Sequence, residues 1–235
     1  DTVLSITVTN PTASQTAPTV QISIGTGTNV AIAASTLSAS VLGAGTAQTY
    51  TTKTLAQSSI QQNSLNVITI TLQPNVAMSD GDIITITGLT GTQTATTATL
   101  TVGGTDAATF GSSAGWNIDG TLTLTVDGGQ SVSNSGNTVV SITVANPAAT
   151  QSAPTVSVAS SGSVAISGQT MVGGVLDASE AQVFTTKTLA ESSTVQDAAN
   201  VLTITLRPNV ALAPSDEITI VGLTGTQTAD AGALT

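Results

Sequence analysis

At 235 residues the chain can form one large domain or two ordinary ones. It carries three cationic side chains against thirteen carboxylates, for a net charge of −10, and it has no His and no Cys. This charge excludes partners that need clustered Lys and Arg, such as nucleic acid and anionic membrane surfaces. The missing residue types exclude a Ser-His-Asp triad, a thiol nucleophile, a His-bound metal and disulfides.

Charged residues make up only 7% of the chain, against about 25% in ordinary globular proteins. The outer surface must therefore consist mainly of Thr, Ser, Asn and Gln. We expect glycans or neighbouring subunits to cover such a surface, with a bare and weakly charged surface as the alternative. No apolar run approaches the ~18 residues of a membrane span. The start at Asp1, without Met, fits either a removed signal peptide or a truncation.

Alternation of apolar residues with Thr or Ser predicts half-buried strands along most of the chain. At 2–9, Leu4, Ile6 and Val8 face one way and polar residues face the other. The other candidate strands, in chain order, are 18–24, 29–34, 47–54, 67–72, 82–87, 97–102, 121–126, 154–159, 163–167, 181–188, 216–221 and 231–235. The less regular stretches 36–43 and 55–62 are candidates for helical turns. Short strands divided by Gly and Pro turns predict an all-β fold.

The chain holds two copies of one module. TVLSITVTNP at 2–11 returns as TVVSITVANP at 138–147, TTKTLA at 51–56 returns at 185–190, and GLTGTQTA at 88–95 returns at 222–229. The distance along the chain between matching residues, from 2 to 138 at the start of the two copies, is the length of a whole domain. Solenoid repeats are shorter, at about 20–50 residues. We therefore predict two tandem immunoglobulin-like antiparallel β-sandwich domains, at 1–102 and 138–235.

Residues 103–137 have no counterpart in the second copy and are rich in Gly, Ser and Asp. We interpret them as a connector with one strand, at 121–126. Phe110 and Trp116 are expected to pin this connector to a domain face, and a binding role for Trp116 is the alternative. At equivalent positions of the two copies, Tyr50 and Phe184 are predicted to be large core side chains.

The incomplete second copy suggests strand donation. If each sandwich is completed by the strand that follows it, residues 138–144 close the first domain. The second domain then needs the equivalent strand 2–8 from another copy of the chain. Such a head-to-tail contact can propagate a filament. The predicted joint residues are Val3, Leu4, Ile6 and Val8, with the intrachain equivalents Val139, Val140, Ile142 and Val144. The alternative is that 2–8 is the first strand of its own domain.

Candidate modification and ion sites are few. Pro follows Asn10 and Asn146, which argues against N-glycosylation there. Hydroxyls near prolines in predicted loops are candidates for O-glycosylation, namely Thr12, Ser14, Thr16, Thr150 and Ser152. The acidic pairs Asp80/Asp82 and Asp216/Glu217 are interpreted as solvated turns in preference to Ca²⁺ sites. Lys53 and Lys187 are interpreted as strand lysines that discourage edge pairing, with an isopeptide bond as the alternative.

The segments NVITITLQPNVAMSDGDIITITGLTGTQTA and NVLTITLRPNVALAPSDEITIVGLTGTQTAD resemble tandem immunoglobulin-like β-sandwich repeats of large secreted microbial and algal surface proteins. The resemblance implies an extracellular or cell-surface scaffold without catalytic residues.

We therefore expect a structural subunit of an extracellular filament or surface layer, which polymerises with itself and carries O-glycans. We expect no enzymatic activity, cofactor, metal, nucleic-acid partner or membrane insertion. The alternative is an adhesin or another carbohydrate- or surface-binding module. Ice binding is less favoured, because the Thr-X-Thr runs occur one per strand.

Overall fold

The protein is all-β in the computed structural model, which describes residues 2–11, 13–25 and 30–229. The helical element within these ranges is a 3₁₀ helix at Ala107–Phe110. The chain divides into two compact units, Asp1–Glu180 and Ala181–Thr235. This division falls inside the second copy of the repeat, so the compact units do not follow the repeat boundaries.

The described residues of the first unit form thirteen strands. They are β1 (Gln21–Ile24), β2 (Ile32–Thr36), β3 (Tyr50–Gln57), β4 (Leu65–Pro74), β5 (Met78–Ser79), β6 (Ile83–Thr87), β7 (Thr97–Gly103), β8 (Ser113–Asn117), β9 (Thr121–Thr125), β10 (Ser131–Val132), β11 (Thr138–Ala145), β12 (Ser157–Ser161) and β13 (Gln169–Thr170). Nine of them form one antiparallel sheet in the order β13-β12-β6-β9-β8-β7-β11-β4-β3. The pairs β1-β2 and β5-β10 are separate two-stranded sheets.

Period-two patterning explains which face of the large sheet is buried. In β4, Ile68, Ile70 and Leu72 are at most 1% exposed, whereas the threonines between them keep contact with solvent. Strand β9 repeats this with Leu122 and Leu124. Successive strand residues point to opposite faces, so the aliphatic side chains collect on one side as a core.

Residues 103–137 contribute to this core as well as linking the two copies. Their strands β8 and β9 lie in the middle of the sheet, between β7 and β6. Phe110 and Trp116 are 3% and 2% exposed, and the indole N–H of Trp116 donates to the Thr94 carbonyl at 3.0 Å. Besides the expected strand at 121–126, this stretch therefore holds β8, β10 and the 3₁₀ helix.

The sheet curls until it is nearly barrel-shaped. Past β13, the Val172 carbonyl accepts from Leu55 N–H at 2.8 Å, and Val172 N–H donates to the Lys53 carbonyl at 2.9 Å. A parallel bridge between Gln61 and Glu180 continues this contact. The far end of the sheet therefore pairs with the outer edge of β3, and residues of both repeat copies enclose one core.

Several predicted elements are absent. The alternating stretch 2–9 is not a strand, and neither are 163–167 and 216–221, while 231–235 lies outside the described residues. The stretches 36–43 and 55–62 form no helical turn. A strand needs a hydrogen-bonded neighbour, and within the described residues 2–9 and 216–221 pair with no strand. Periodicity alone therefore overstates the strand content at both ends of the chain.

The second unit contains β14 (Phe184–Glu191) and β15 (Leu202–Pro208), which pair with each other. Their register runs from Phe184 opposite Pro208, with an irregularity after the first pair. Strands β3 and β4 show the same irregularity after Tyr50 opposite Pro74. The second copy thus repeats the β3-β4 hairpin of the first copy in register as well as in sequence.

Candidate functional site: the seat of the docked segment

The most informative site is the place where the second copy enters the first. We name residues 138–180 the docked segment, residues 47–103 the first body, residues 2–46 the N-terminal segment, and residues 181–229 the second body. The docked segment and the N-terminal segment are equivalent by sequence, and so are the two bodies.

Strand β11 of the docked segment lies between two strands of the first body. It pairs with β4 from Thr138 opposite Leu72 to Ala145 opposite Leu65, and its other edge meets β7 at Ile142 opposite Val102. Val140, Ile142 and Val144 are each 1% exposed, and Val139, on the opposite face, is partly exposed. The backbone of β11 thus pairs with a strand of the first body on each of its two edges.

A buried pair of amides fixes the end of β11. Asn66 and Asn146 are both fully buried, and Asn66 Nδ2 donates to Asn146 Oδ1 at 2.8 Å. Asn146 Nδ2 donates to the carbonyls of Ser59 at 3.1 Å and Gln61 at 2.8 Å. A one-residue slip would leave these amides unpaired in the core, which is costly. The pair therefore specifies the register of docking.

The loop that follows β6 contacts the docked segment through both backbone and side-chain groups. Gln93 N–H donates to the Ala145 carbonyl at 3.1 Å, and Gln93 Nε2 donates to the Asn146 carbonyl at 2.9 Å. Gly88 has φ +93, and a Cβ there would collide with the Thr155 carbonyl oxygen. A glycine at this position permits both the turn and the close approach.

Asp82 closes the opposite end of the contact. Its Oδ2 accepts from Ser79 N–H at 2.8 Å and Ser163 Oγ at 2.7 Å, and its Oδ1 accepts from Ser163 N–H. Burial opposes ionisation, but hydrogen bonds from Ser163, Ser79 and the Val164 backbone outweigh it and hold the pKa of this carboxyl below its ordinary value. Asp82 therefore fastens the docked segment as an ionised acceptor.

The equivalent N-terminal segment is exposed. Leu4, Ile6 and Val8 are 86%, 77% and 58% exposed, although they correspond to the buried Val140, Ile142 and Val144, and Val3 is 90% exposed. A row of exposed apolar side chains like this one is a candidate interaction surface.

The second body also exposes aliphatic side chains whose equivalents are buried in the first body. Seven residues of the second body whose equivalents line the core in the first body are 40% to 58% exposed, namely Leu189, Leu202, Ile204, Leu212, Ile218, Ile220 and Leu223, whereas Leu206, the equivalent of Leu72, is half-buried. Side chains equivalent to part of the core of the first body are therefore exposed in the second body.

The remaining candidate residues are dispersed. Ser14, Thr16, Thr150 and Ser152 are exposed, and Thr12 lies outside the described residues. Thr150 Oγ1 also accepts from Gln62 Nε2 at 2.8 Å. Lys53 Nζ donates to the Tyr50 carbonyl at 3.2 Å, and Lys187 is exposed.

The acidic pairs and the aromatic residues take separate places. Asp80 is exposed while Asp82 is buried, and among the described residues no three His, Cys, Asp or Glu side chains are grouped to hold a metal ion. Trp116 is buried and therefore does not present its ring to a ligand. Burial, with the nearby charge of Asp82, raises the pKa of Tyr50 to about 12.

Sequence reasoning missed the amide pair and the extent of the docked segment. The available signal was internal: Asn10 matches Asn146 and Asn66 matches Asn200, so both partners occur in both copies. Comparison with protein-family models, curated proteins and solved structures found no match. In the part of the chain that the structure describes, no helix has the length and apolar character needed to cross a membrane.

Proposed function

We propose that this chain is a structural subunit of an extracellular filament or surface layer, and that it assembles head to tail by donating its N-terminal strand, residues 2–8, to the second body of a neighbouring copy. The observation that supports this is the position of β11, a near copy of residues 2–9, between β4 and β7. The same sequence pattern is thus buried where a body receives it and exposed where none does.

The energetics favour association. Burying Leu4, Ile6 and Val8 as their equivalents are buried would contribute about 5–8 kcal/mol before entropic costs. Main-chain hydrogen bonds along β15 would add about 1 kcal/mol each. Donor and acceptor lie on different surfaces of one chain, so the contact is heterologous and need not close into a ring.

The finer assignments are parts of the same proposal. Each completed unit would be an immunoglobulin-like sandwich, and the weakly charged outer surface would carry O-glycans outside the cell. The exposed hydroxyls of Ser14, Thr16 and Ser152 are compatible with modification. Intact-mass measurement of material from the native source tests the glycans, because an unmodified mass would contradict them.

The assembly itself is tested with one charge placed on either face of the donated strand. Ile6→Asp puts a carboxylate on the face equivalent to buried Ile142, whereas Thr7→Asp puts it on the face equivalent to exposed Thr143. Light scattering after size exclusion and negative-stain microscopy should show concentration-dependent filaments for wild type and Thr7→Asp. Ile6→Asp should remain monomeric, because burying an unpaired carboxylate is prohibitive.

Two outcomes would refute the proposal. One is a monodisperse wild-type monomer at high concentration. The other is an Ile6→Asp variant that assembles as well as wild type.

A further inference from the structure

We propose, building on the function above, that the donated element is the whole N-terminal segment, residues 2–46, and that the second body of another copy of this chain receives it with Asn10 paired to Asn200. The N-terminal segment and the second body are therefore two halves of one domain. In donation of a single strand, the donor would supply only residues 2–8.

The first support is that the later part of the N-terminal segment, from Gln15 to Leu42, already has the conformation of its equivalent in the docked segment, although 2–9 is not yet a strand. Strand β1 pairs with β2 at Gln21 opposite Thr36, where β12 pairs with β13 at Ser157 opposite Thr170. These residue pairs are equivalent in the two copies.

The turn that follows this hairpin is also the same. Gln15 Nε2 donates to the Leu42 carbonyl at 2.8 Å, and Gln151 Nε2 donates to the Leu176 carbonyl at 3.0 Å. Leu42 and Leu176 share a left-handed backbone, with φ 59 and φ 58. A non-glycine residue rarely adopts this conformation. Its recurrence at equivalent positions indicates that the two hairpins and the turns after them have the same backbone conformation. The N-terminal segment is therefore pre-organised for docking.

The second support is the apolar surface beyond residues 2–8. Ile22, Ile32 and Leu37 are 57%, 51% and 47% exposed, whereas their equivalents Val158, Ile166 and Met171 are at most 6% exposed. A donor consisting of residues 2–8 alone would leave these side chains uncovered. Docking of the whole segment would bury them as Val158, Ile166 and Met171 are buried in the first unit.

The third support is the arrangement around Asn200. Its Oδ1 accepts from the N–H groups of Ser192 at 3.0 Å and Ser193 at 3.1 Å, and its Nδ2 donates to Glu191 Oε2 at 2.9 Å. Asn66 makes the equivalent contacts with Ser58, Ser59 and Gln57, and its amide also donates to Asn146. Asn200 is thus oriented to receive Asn10, yet it is exposed.

Two differences predict that the contact between copies is weaker than the one within the chain. A Cβ on Gly173 would collide with the Leu55 carbonyl, and the equivalent residue in the N-terminal segment is Ala39. Val139 N–H donates to Asp106 Oδ2 at 2.7 Å, and Asp106 belongs to the stretch that the second copy lacks. The N-terminal segment must therefore shift locally near Ala39, and residues 181–229 contain no equivalent of the Asp106 carboxylate.

Disulfide trapping tests the register, since the chain has no Cys of its own. Ser141 lies opposite Thr69, which places Ser5 of one copy opposite Thr203 of the other. Ser5→Cys and Thr203→Cys chains, mixed and oxidised with glutathione, should give a covalent heterodimer. The pair Ser5→Cys and Thr205→Cys, two residues out of register, is the control and should crosslink at least ten-fold less. Mixing single-cysteine chains ensures that a crosslink joins two copies.

The extent of the donated element is tested in the same assay with Ile32→Asp and Asn10→Ala. Ile32 is exposed in the single chain, so Ile32→Asp should fold normally but abolish crosslinking. Ile118→Asp is the matched control, because Ile118 is 53% exposed on a stretch without a counterpart. Asn10→Ala should weaken association about ten- to hundred-fold, since it leaves the Asn200 amide without its buried partner.

The outcomes separate this inference from the proposed function. In-register crosslinking that Ile32→Asp and Asn10→Ala leave unchanged would overturn the inference and retain strand donation. No in-register crosslink, with no assembly of wild type, would overturn both. Crosslinking lost in Ile32→Asp and retained in Ile118→Asp would support donation of the whole segment.

Discussion

Replacing Asn146 by Ala measures what the buried amide pair contributes to the first unit. The substitution removes three side-chain hydrogen bonds, one to Asn66 and two to the carbonyls of Ser59 and Gln61. Each typically contributes about 1 kcal/mol, and a buried partner left unsatisfied costs more than the bond itself. We expect Asn146→Ala to lower the free energy of unfolding by about 3–4 kcal/mol.

The chain supplies its own reporter and its own control. Trp116 is the only tryptophan and lies in the core of the first unit, so its fluorescence during urea unfolding follows that unit. Asn10→Ala, at the equivalent exposed position, should change the free energy of unfolding by less than about 0.5 kcal/mol at concentrations where the chain is monomeric. Equal losses in the two variants, or no loss in Asn146→Ala, would refute the assignment of the amide pair as a lock.

Three further substitutions probe the same unit by urea unfolding. Tyr50→Phe should change stability by less than about 0.5 kcal/mol near neutral pH, because among the described residues no group, the nearby Ser160 included, forms a hydrogen bond of normal geometry with the buried hydroxyl of Tyr50, and Phe184 occupies the equivalent position. A loss above about 2 kcal/mol would contradict this. Gly173→Ala should destabilise by about 2–3 kcal/mol, since φ is +103 and the new Cβ would meet the Leu55 carbonyl; an unchanged midpoint would contradict it. The pKa of Asp82 is lowered on folding, so its contribution to the free energy of unfolding is present above the ordinary carboxyl pKa and is lost as the pH falls through the lower folded pKa. Asp82→Asn should therefore reduce the loss of stability at acid pH. An unaltered dependence of stability on pH would show that Asp82 does not cause this loss.

The sequence is sufficient to predict the all-β class and many of the strands that find a partner, although it missed β8, which pairs on both edges. In β4 and β9, alternation of aliphatic and Thr residues matches the observed burial, because each strand has neighbours on both edges. At 2–9 the same alternation is present but no ladder forms. The alternation of apolar and polar residues indicates which face of a strand would be buried. A strand forms only if a neighbouring strand is available to pair with it, and a local sequence pattern does not specify that neighbour.

The extent of the docked segment was not predictable from periodicity either. Val172 pairs with β3 through backbone atoms alone, and backbone pairing leaves little signature in side-chain type. The amide pair is different, because Asn66 and Asn146 are polar residues in apolar surroundings and both recur in the other copy. Comparing the two copies for polar residues that recur together would have pointed to this contact.

The offset between repeat copies and compact units has a consequence for longer chains. The core of the first unit is formed by residues from Tyr50, within the first copy, to Leu176, within the second copy. A chain that continued this arrangement would contain one fewer closed unit than copies, however many copies it had. Each inner copy would contribute to two closed units, so that a substitution would alter the unit before it or the unit after it, depending on which half of the copy it changes.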